Sequence, residues 1–110
     1  INLSSIIEFS KKVGMEIDPM RFRGNINFMN NIPWEEFNWV DKKIRIGGAV
    51  LNIFKRTKRC AATNVNPFSA VYDINIPKEL NYHYRHMDMG VYAIVLKSGL
   101  IAVGDEIELI

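Results

Sequence analysis

A single cysteine, Cys60, excludes any internal disulfide, and with it a small secreted domain stapled by cystines. No apolar run reaches the ~18 residues that mark a membrane-spanning helix. Charge of one sign is scarce too. Fourteen Lys and Arg against twelve Asp and Glu leave a formal net charge of +2, too little for the whole surface to bind nucleic acid or an anionic membrane. No basic segment followed by an apolar stretch and a small-residue cleavage site opens the chain, so no signal peptide is read. Together with the need for a reduced thiol, this points to the cytoplasm. Repeats, low-complexity tracts and internal linkers are absent as well. What remains is 48% hydrophobic and only 24% charged over 110 residues, too apolar for disorder and of a size for one domain, residues 1–110. The first residue is Ile1 rather than methionine, and the chain is expected to be a piece of a longer protein.

The apolar pattern is helical only near the start of the chain and around residues 77–84. Ile6, Phe9 and Val13 recur at helical spacing, predicting a helix over 4–13. Ser5 and Glu8 suit a capping box at its start, and Gly14 suits its end. Asp18-Pro19 marks a turn. Pro77, a residue favoured in a first helical turn, predicts a second helix to about Tyr84. Elsewhere the period is two. Ile26 and Phe28, Ile44 and Ile46, and Ile107 and Leu109 each alternate with polar or less buried types, and Val50 to Phe54 and Gly90 to Leu96 are β-rich. Gly47-Gly48 and Ser98-Gly99 separate them. Many short strands with turn signals predict a mainly β, β-rich α+β fold, a small barrel or sandwich rather than a βαβ sheet.

The densest chemical signal is Lys55-Arg56-Thr57-Lys58-Arg59-Cys60-Ala61-Ala62-Thr63-Asn64. Cations near a thiol favour the thiolate, the form that attacks electrophiles and binds soft metals. The same cations suit phosphate, Arg as a fork and Lys as a point charge. A buried small thiol beside a solvated basic face accounts for the same residues. Arg21-Phe22-Arg23-Gly24-Asn25 is a second basic patch, equally readable as a surface turn over a buried Phe22. His83, His86 and Asp88 carry metal-ligand types without a zinc spacing, which favours structural hydrogen bonds near a helix end. Gly47-Gly48 lacks the third glycine of a dinucleotide fingerprint, and Ser69 lacks a nucleophile elbow. Glu35 and Glu36 suit a helix start rather than an acid–base pair. Tyr82, Tyr84 and Tyr92 are expected to pack rather than to stack on bases.

Taken in order, these segments resemble the MOSC domain, the domain at the C-terminus of molybdenum cofactor sulfurases. The resemblance is carried by Arg21-Phe22-Arg23-Gly24-Asn25, Pro33-Trp34-Glu35-Glu36 with Trp39, and Ile46-Gly47. It continues through Arg59-Cys60-Ala61-Ala62-Thr63-Asn64-Val65-Asn66-Pro67, Asp73, Pro77, His86-Met87-Asp88-Met89-Gly90-Val91-Tyr92-Ala93 and Val103-Gly104-Asp105. The stretch from Arg59 to Pro67 is the most specific. The resemblance implies a MOSC-like β-barrel with a few short helices and a role in molybdenum cofactor chemistry. By the match, Cys60 is the thiolate ligand of molybdenum or a sulfur carrier, and thus the catalytic residue. Arg23 holds the cofactor, Asn25 shapes its turn, and Lys58 and Arg59 add positive charge. The sequence departs from the family in having Gly24 where a proline is usual and Lys58 where amidoxime-reducing relatives have serine. By the match, residues 1–110 are expected to lack the family's N-terminal strands, which pair into the barrel.

Two functions follow from the resemblance. One is reduction of N-hydroxylated small molecules on molybdenum cofactor held by Cys60, with electrons from a separate electron-transfer protein. The other is sulfur carriage, with Cys60 taking persulfide from a cysteine desulfurase whose pyridoxal phosphate stays in that partner. A third, plainer reading is a basic-patch binding domain without catalysis, for which the weak net charge disfavours nucleic acid.

Overall fold

In a computed structural model covering residues 1–110, helix α1 spans Leu3–Val13. Its start is set by Asn2, whose side chain accepts the Ser4 N–H at 3.0 Å. The expected Ser5–Glu8 capping box does not form. Ser5 lies within the helix and is buried, and its hydroxyl donates to Glu36 at 3.0 Å. Glu8 instead accepts from the Tyr84 hydroxyl and the Trp34 indole. Asn2 can cap because its short amide reaches back to the first free N–H. At the other end Gly14 adopts φ 82°, the left-handed cap that its missing Cβ permits.

The rest of the chain builds one antiparallel sheet and a second helix. Strands β1 (Lys43–Ile46), β2 (Ala49–Lys58), β3 (Asp88–Lys97) and β4 (Ile107–Leu109) lie in the order β3-β2-β1-β4. Ile44 and Ile46 point inward and Lys43 and Arg45 outward, the alternation read in the sequence. Helix α2 runs Ile76–Tyr84, with Asn75 accepting the Lys78 N–H and Pro77 in its first turn. Short 3₁₀ turns occupy Pro19–Phe22, Glu35–Trp39 and Ala61–Asn64. The fold is α+β with the sheet as its main layer.

Two expectations change. The sheet is open rather than closed into a barrel: β3 and β4 are its two edges, and neither pairs with the other. Residues 26–28 form no strand. The backbone groups of Phe28 bond Ile1 and Leu3 across α1's start, at 2.9 and 2.8 Å, leaving one isolated bridge.

Two apolar clusters divide the interior. Ile6, Phe9, Ile17, Phe22, Ile76, Leu80 and Met89 join the helices to the start of β3. Trp39, Ile44, Ile46 and Ile53 cover one face of the sheet, with Ile26, Phe28, Val91 and Ile107 packed around them. The outer part of β3 is covered on neither face, and Ile94, Val95 and Leu96 are all exposed.

Candidate functional site

Where the two clusters meet, the sheet face opens into a groove of about 440 Å³. Its floor is apolar, made by Phe28, Trp39, Ile44, Ile53 and Val91 among others. Its polar lining comes from Arg23, Asn25, Thr57, Arg59 and Tyr92. Three candidates chosen from sequence, Arg23, Asn25 and Arg59, therefore share one cavity although 36 positions separate the outermost pair in the chain.

Each polar residue reaches the groove for a local reason. Arg23 caps the Pro19–Phe22 turn in the left-handed region at φ 49°. This sharp reversal throws its exposed side chain over the groove with no salt bridge to hold it elsewhere. Next to it, a Cβ at Gly24 would meet the Ile1 side chain, which packs against this turn. Arg59 is far less free. Its Nε and Nη2 donate to the Met89 carbonyl at 2.9 and 2.7 Å, and Nη1 donates to the Phe22 carbonyl at 2.9 Å. Its guanidinium also lies 5.2 Å above the Phe22 ring. Burial pulls the Arg59 pKa below its ordinary value, opposed by Tyr92 and then Cys60. Arg59 thus ties β3 to the Arg23 turn and keeps a fixed positive charge at the groove mouth.

Cys60 and Lys58 do not line the groove. β2 ends at Lys58, which pairs in register with Asp88, and Cys60 follows two residues on as the cap of the Ala61–Asn64 turn. The Cys60 thiol is exposed, which sets aside the buried-hydrophobe reading. Its carbonyl accepts the Thr63 hydroxyl at 2.7 Å, starting the Ala61–Asn64 turn. The basic run is not a uniform anion cradle either. Arg56 is engaged by Asp88 at 2.9 Å and by the Phe37 ring at 4.0 Å.

The segment after the thiol is pinned from below. Arg21 is buried, and its Nη1 donates to the carbonyls of Thr63 and Asn64 at 3.3 and 3.2 Å. Asn64 in turn accepts the Ile76 N–H at 2.7 Å, at the start of α2. Asn66 accepts the Phe68 and Ser69 N–H groups, shaping the exposed tip beyond it.

The histidines serve packing. His86 stacks on Tyr84 at 5.8 Å and meets Trp34 and Phe37 edge-on, and its Nδ1 accepts the Asp88 N–H at 3.0 Å. His83 pairs with Glu79 one helical turn away. No three His, Cys, Asp or Glu side chains come together as a metal-holding group. Tyr84 packs as expected, whereas Tyr82 stands exposed and Tyr92 lines the groove, stacked on Phe54 at 6.0 Å. The sequence reading gave Tyr92 a packing role only and gave Thr57 none. Thr57 at the end of β2 and Tyr92 on the neighbouring β3 come together only once the strand register is known.

No helix is long and apolar enough to cross a membrane. Comparison with curated proteins gives no match. The family profile described as the MOSC domain matches residues 1–108, spanning the Arg23 turn, the thiol and the groove. The chain belongs to the MOSC domain family.

Proposed function

We propose that this domain binds molybdenum cofactor with Cys60 as the thiolate ligand and reduces N-hydroxylated small molecules. The observation that carries the reading is the exposure of the only thiol directly after Arg59, whose guanidinium is locked at the groove mouth by three hydrogen bonds. The residue types present suit such a group, with Arg23, Asn25 and Arg59 at the groove and Cys60 and Lys58 beside it rather than in it. A thiolate is a soft ligand for a transition metal. The unpaired Arg23 guanidinium is suited to a phosphate, and the exposed Asn25 amide can donate and accept beside it. Lys58 adds charge on the thiol's side of the strand. When bound, molybdenum would supply the redox chemistry for breaking an N–O bond. The chain's own residues hold, orient and charge-balance, and electrons would come from an electron-transfer protein.

An exposed thiol also favours a second reading. A sulfur carrier must offer its sulfur to another protein, and Cys60 is accessible for that. It would take persulfide from a desulfurase that keeps its own pyridoxal phosphate. Elemental analysis of the full-length protein and its Cys60→Ser variant separates the two. Molybdenum in the wild type and its loss in the variant is the expected result. Absence of molybdenum, with transferable persulfide on Cys60, would overturn reduction in favour of carriage.

A further inference from the structure

Residues 61–72 carry no charged side chain. They follow the thiol, pass through the Ala61–Asn64 turn and end in a tip, residues 67–72, that is exposed throughout. Phe68 is 78% exposed and Tyr72 73%, with Val71 exposed between them. Large apolar side chains gathered on one short loop mark a contact surface rather than ordinary surface scatter.

The backbone of this tip is closed on itself. The Asn66 N–H donates to the Val71 carbonyl at 2.8 Å, and the Ala70 N–H to the Asn66 carbonyl at 2.9 Å. Asn66 Oδ1 accepts the Phe68 and Ser69 N–H groups at 2.9 and 3.1 Å, and Ser69 Oγ accepts the Val71 N–H at 3.4 Å. Pro67 has no N–H to place. Every donor from 66 to 71 therefore has its partner inside the loop. The outer half of β3, also apolar and exposed, is the reverse, with unpaired amides and carbonyls along its edge that suit another strand. A surface that enters lipid has to satisfy its own backbone donors, and the tip does so.

The charge around the loop's base points the same way. Lys58 is exposed just before the thiol. Arg23 caps the Pro19–Phe22 turn and Lys78 lies in the first turn of α2, and both of these elements pack on the Ala61–Asn64 turn. Lys58, Arg23 and Lys78 form no ion pair. The acids nearby are engaged: Asp73 by Arg21, Asp88 by Arg56, Glu79 by His83, and Asp18 by the Met20 N–H. An uncharged tip thus rises from a collar of free cations, although the whole chain nets only +2.

We infer that residues 67–72 form a membrane-docking finger for an anionic lipid surface. Phe68 and Val71 enter the boundary between headgroups and acyl chains, and Tyr72 lies at headgroup level with its hydroxyl in water. Lys58, Lys78 and Arg23 meet the anionic headgroups. Insertion is shallow, because the carbonyls of Phe68, Ser69 and Ala70 accept no bond within the protein and need water. Neither the small apolar tip nor the few cations hold a membrane alone; together they supply the two signals that stable attachment takes. The inference is independent of what Cys60 binds.

The test is flotation of the full-length protein with two kinds of vesicle, phosphatidylcholine alone and equal parts phosphatidylcholine and phosphatidylserine. The wild type is expected to float with the anionic vesicles and to bind the neutral ones at least about tenfold more weakly. Phe68→Ser should weaken binding to the anionic vesicles about tenfold, the scale of one partly buried aromatic ring. Lys58→Gln combined with Lys78→Gln should weaken it by about tenfold or more. All three residues are exposed, so the melting temperature should not move and misfolding is separated from lost binding. In Phe68→Trp, lipid brominated along its acyl chains should quench the new emission more strongly than that of Trp34 and Trp39.

A wild type that ignores anionic vesicles would overturn the finger. So would undiminished binding in Phe68→Ser, or binding lost in Ile94→Lys but kept in Phe68→Ser, which moves the contact to the β3 rim. Bound but unquenched Phe68→Trp would reduce it to surface charge and end the claim of insertion. A wild type that shuns vesicles yet sediments as a dimer, with Phe68→Ser a monomer, would make the tip a protein contact instead.

Discussion

Nη2 of Arg21 lies 2.8 Å from both carboxylate oxygens of Asp73, closing a loop that begins four residues after Cys60. The same guanidinium holds the carbonyls of Thr63 and Asn64, so one buried side chain grips the chain on both sides of residues 65–72. Arg21→Lys keeps the charge and loses the fork. Limited proteolysis should then cut within 65–72 faster than in the wild type, at unchanged sites elsewhere. Equal cutting rates would show that the fork does not hold the loop.

Hydrogen bonds from Asn66 first, and Arg21 second, hold the Asp73 carboxyl below its ordinary value. A depressed carboxyl stabilises the folded state above the unfolded value of about 3.9, and that contribution is lost as pH falls through the folded value. Thermal melts of Asp73→Asn and wild type should therefore differ at neutral pH and converge in acid. A gap that persists at the lowest pH would assign the effect to shape rather than charge.

Tyr84 behaves in the opposite sense. Burial, then its bond to Glu8 at 2.9 Å, raises the phenol above its ordinary value. Its contribution is present below the unfolded value of about 10 and fades as pH rises through the folded one. Ultraviolet titration of the phenols should lose its highest-pH step in Tyr84→Phe. Loss of an earlier step instead would contradict the buried environment.

For His86 the shift is downward, from burial first and then from Arg56, with Asp88 opposing. Neutral imidazole is thus favoured in the fold. Its contribution is complete above about 6.5 and is lost as pH falls toward the folded value. The imidazole proton resonances should titrate below the ordinary range, and Arg56→Gln should move them up. A downward move would remove Arg56 as a cause.

Leu80 is wholly buried between the helices and β3, whereas Val95 stands 57% exposed on the outer strand. Leu80→Ala should cost about 2–5 kcal/mol in denaturant unfolding, and Val95→Ala about 0.5 kcal/mol or less. Similar costs would mean that Val95 is covered in solution.

Local signals were legible where the chain's own neighbours decide the outcome. Gly14, Pro77 and the Ile44–Ile46 alternation each describe a backbone choice made within a turn or a strand. The capping box misled because Ser5 and Glu8 find better partners far away, in Glu36 and Tyr84. Residues 26–28 misled because their backbone partners are Ile1 and Leu3, a pairing set by tertiary position. In the site, Arg23, Asn25 and Arg59 came through motif resemblance. Thr57 needed the fold, since a lone threonine in a basic run acquires meaning only when β2 turns it into the groove.

The outer half of β3 has a consequence for handling the molecule. It offers Tyr92, Ile94, Val95 and Leu96 to solvent on both sides, beside a row of unpaired amides and carbonyls, with no proline or inward charge before Lys97. Such a rim is a template for stacking copies, and a net charge of +2 supplies little repulsion against it. Solutions of residues 1–110 should therefore turn cloudy with concentration, and sooner in sulfate. A charged substitution at Ile94 is the simplest way to keep them clear.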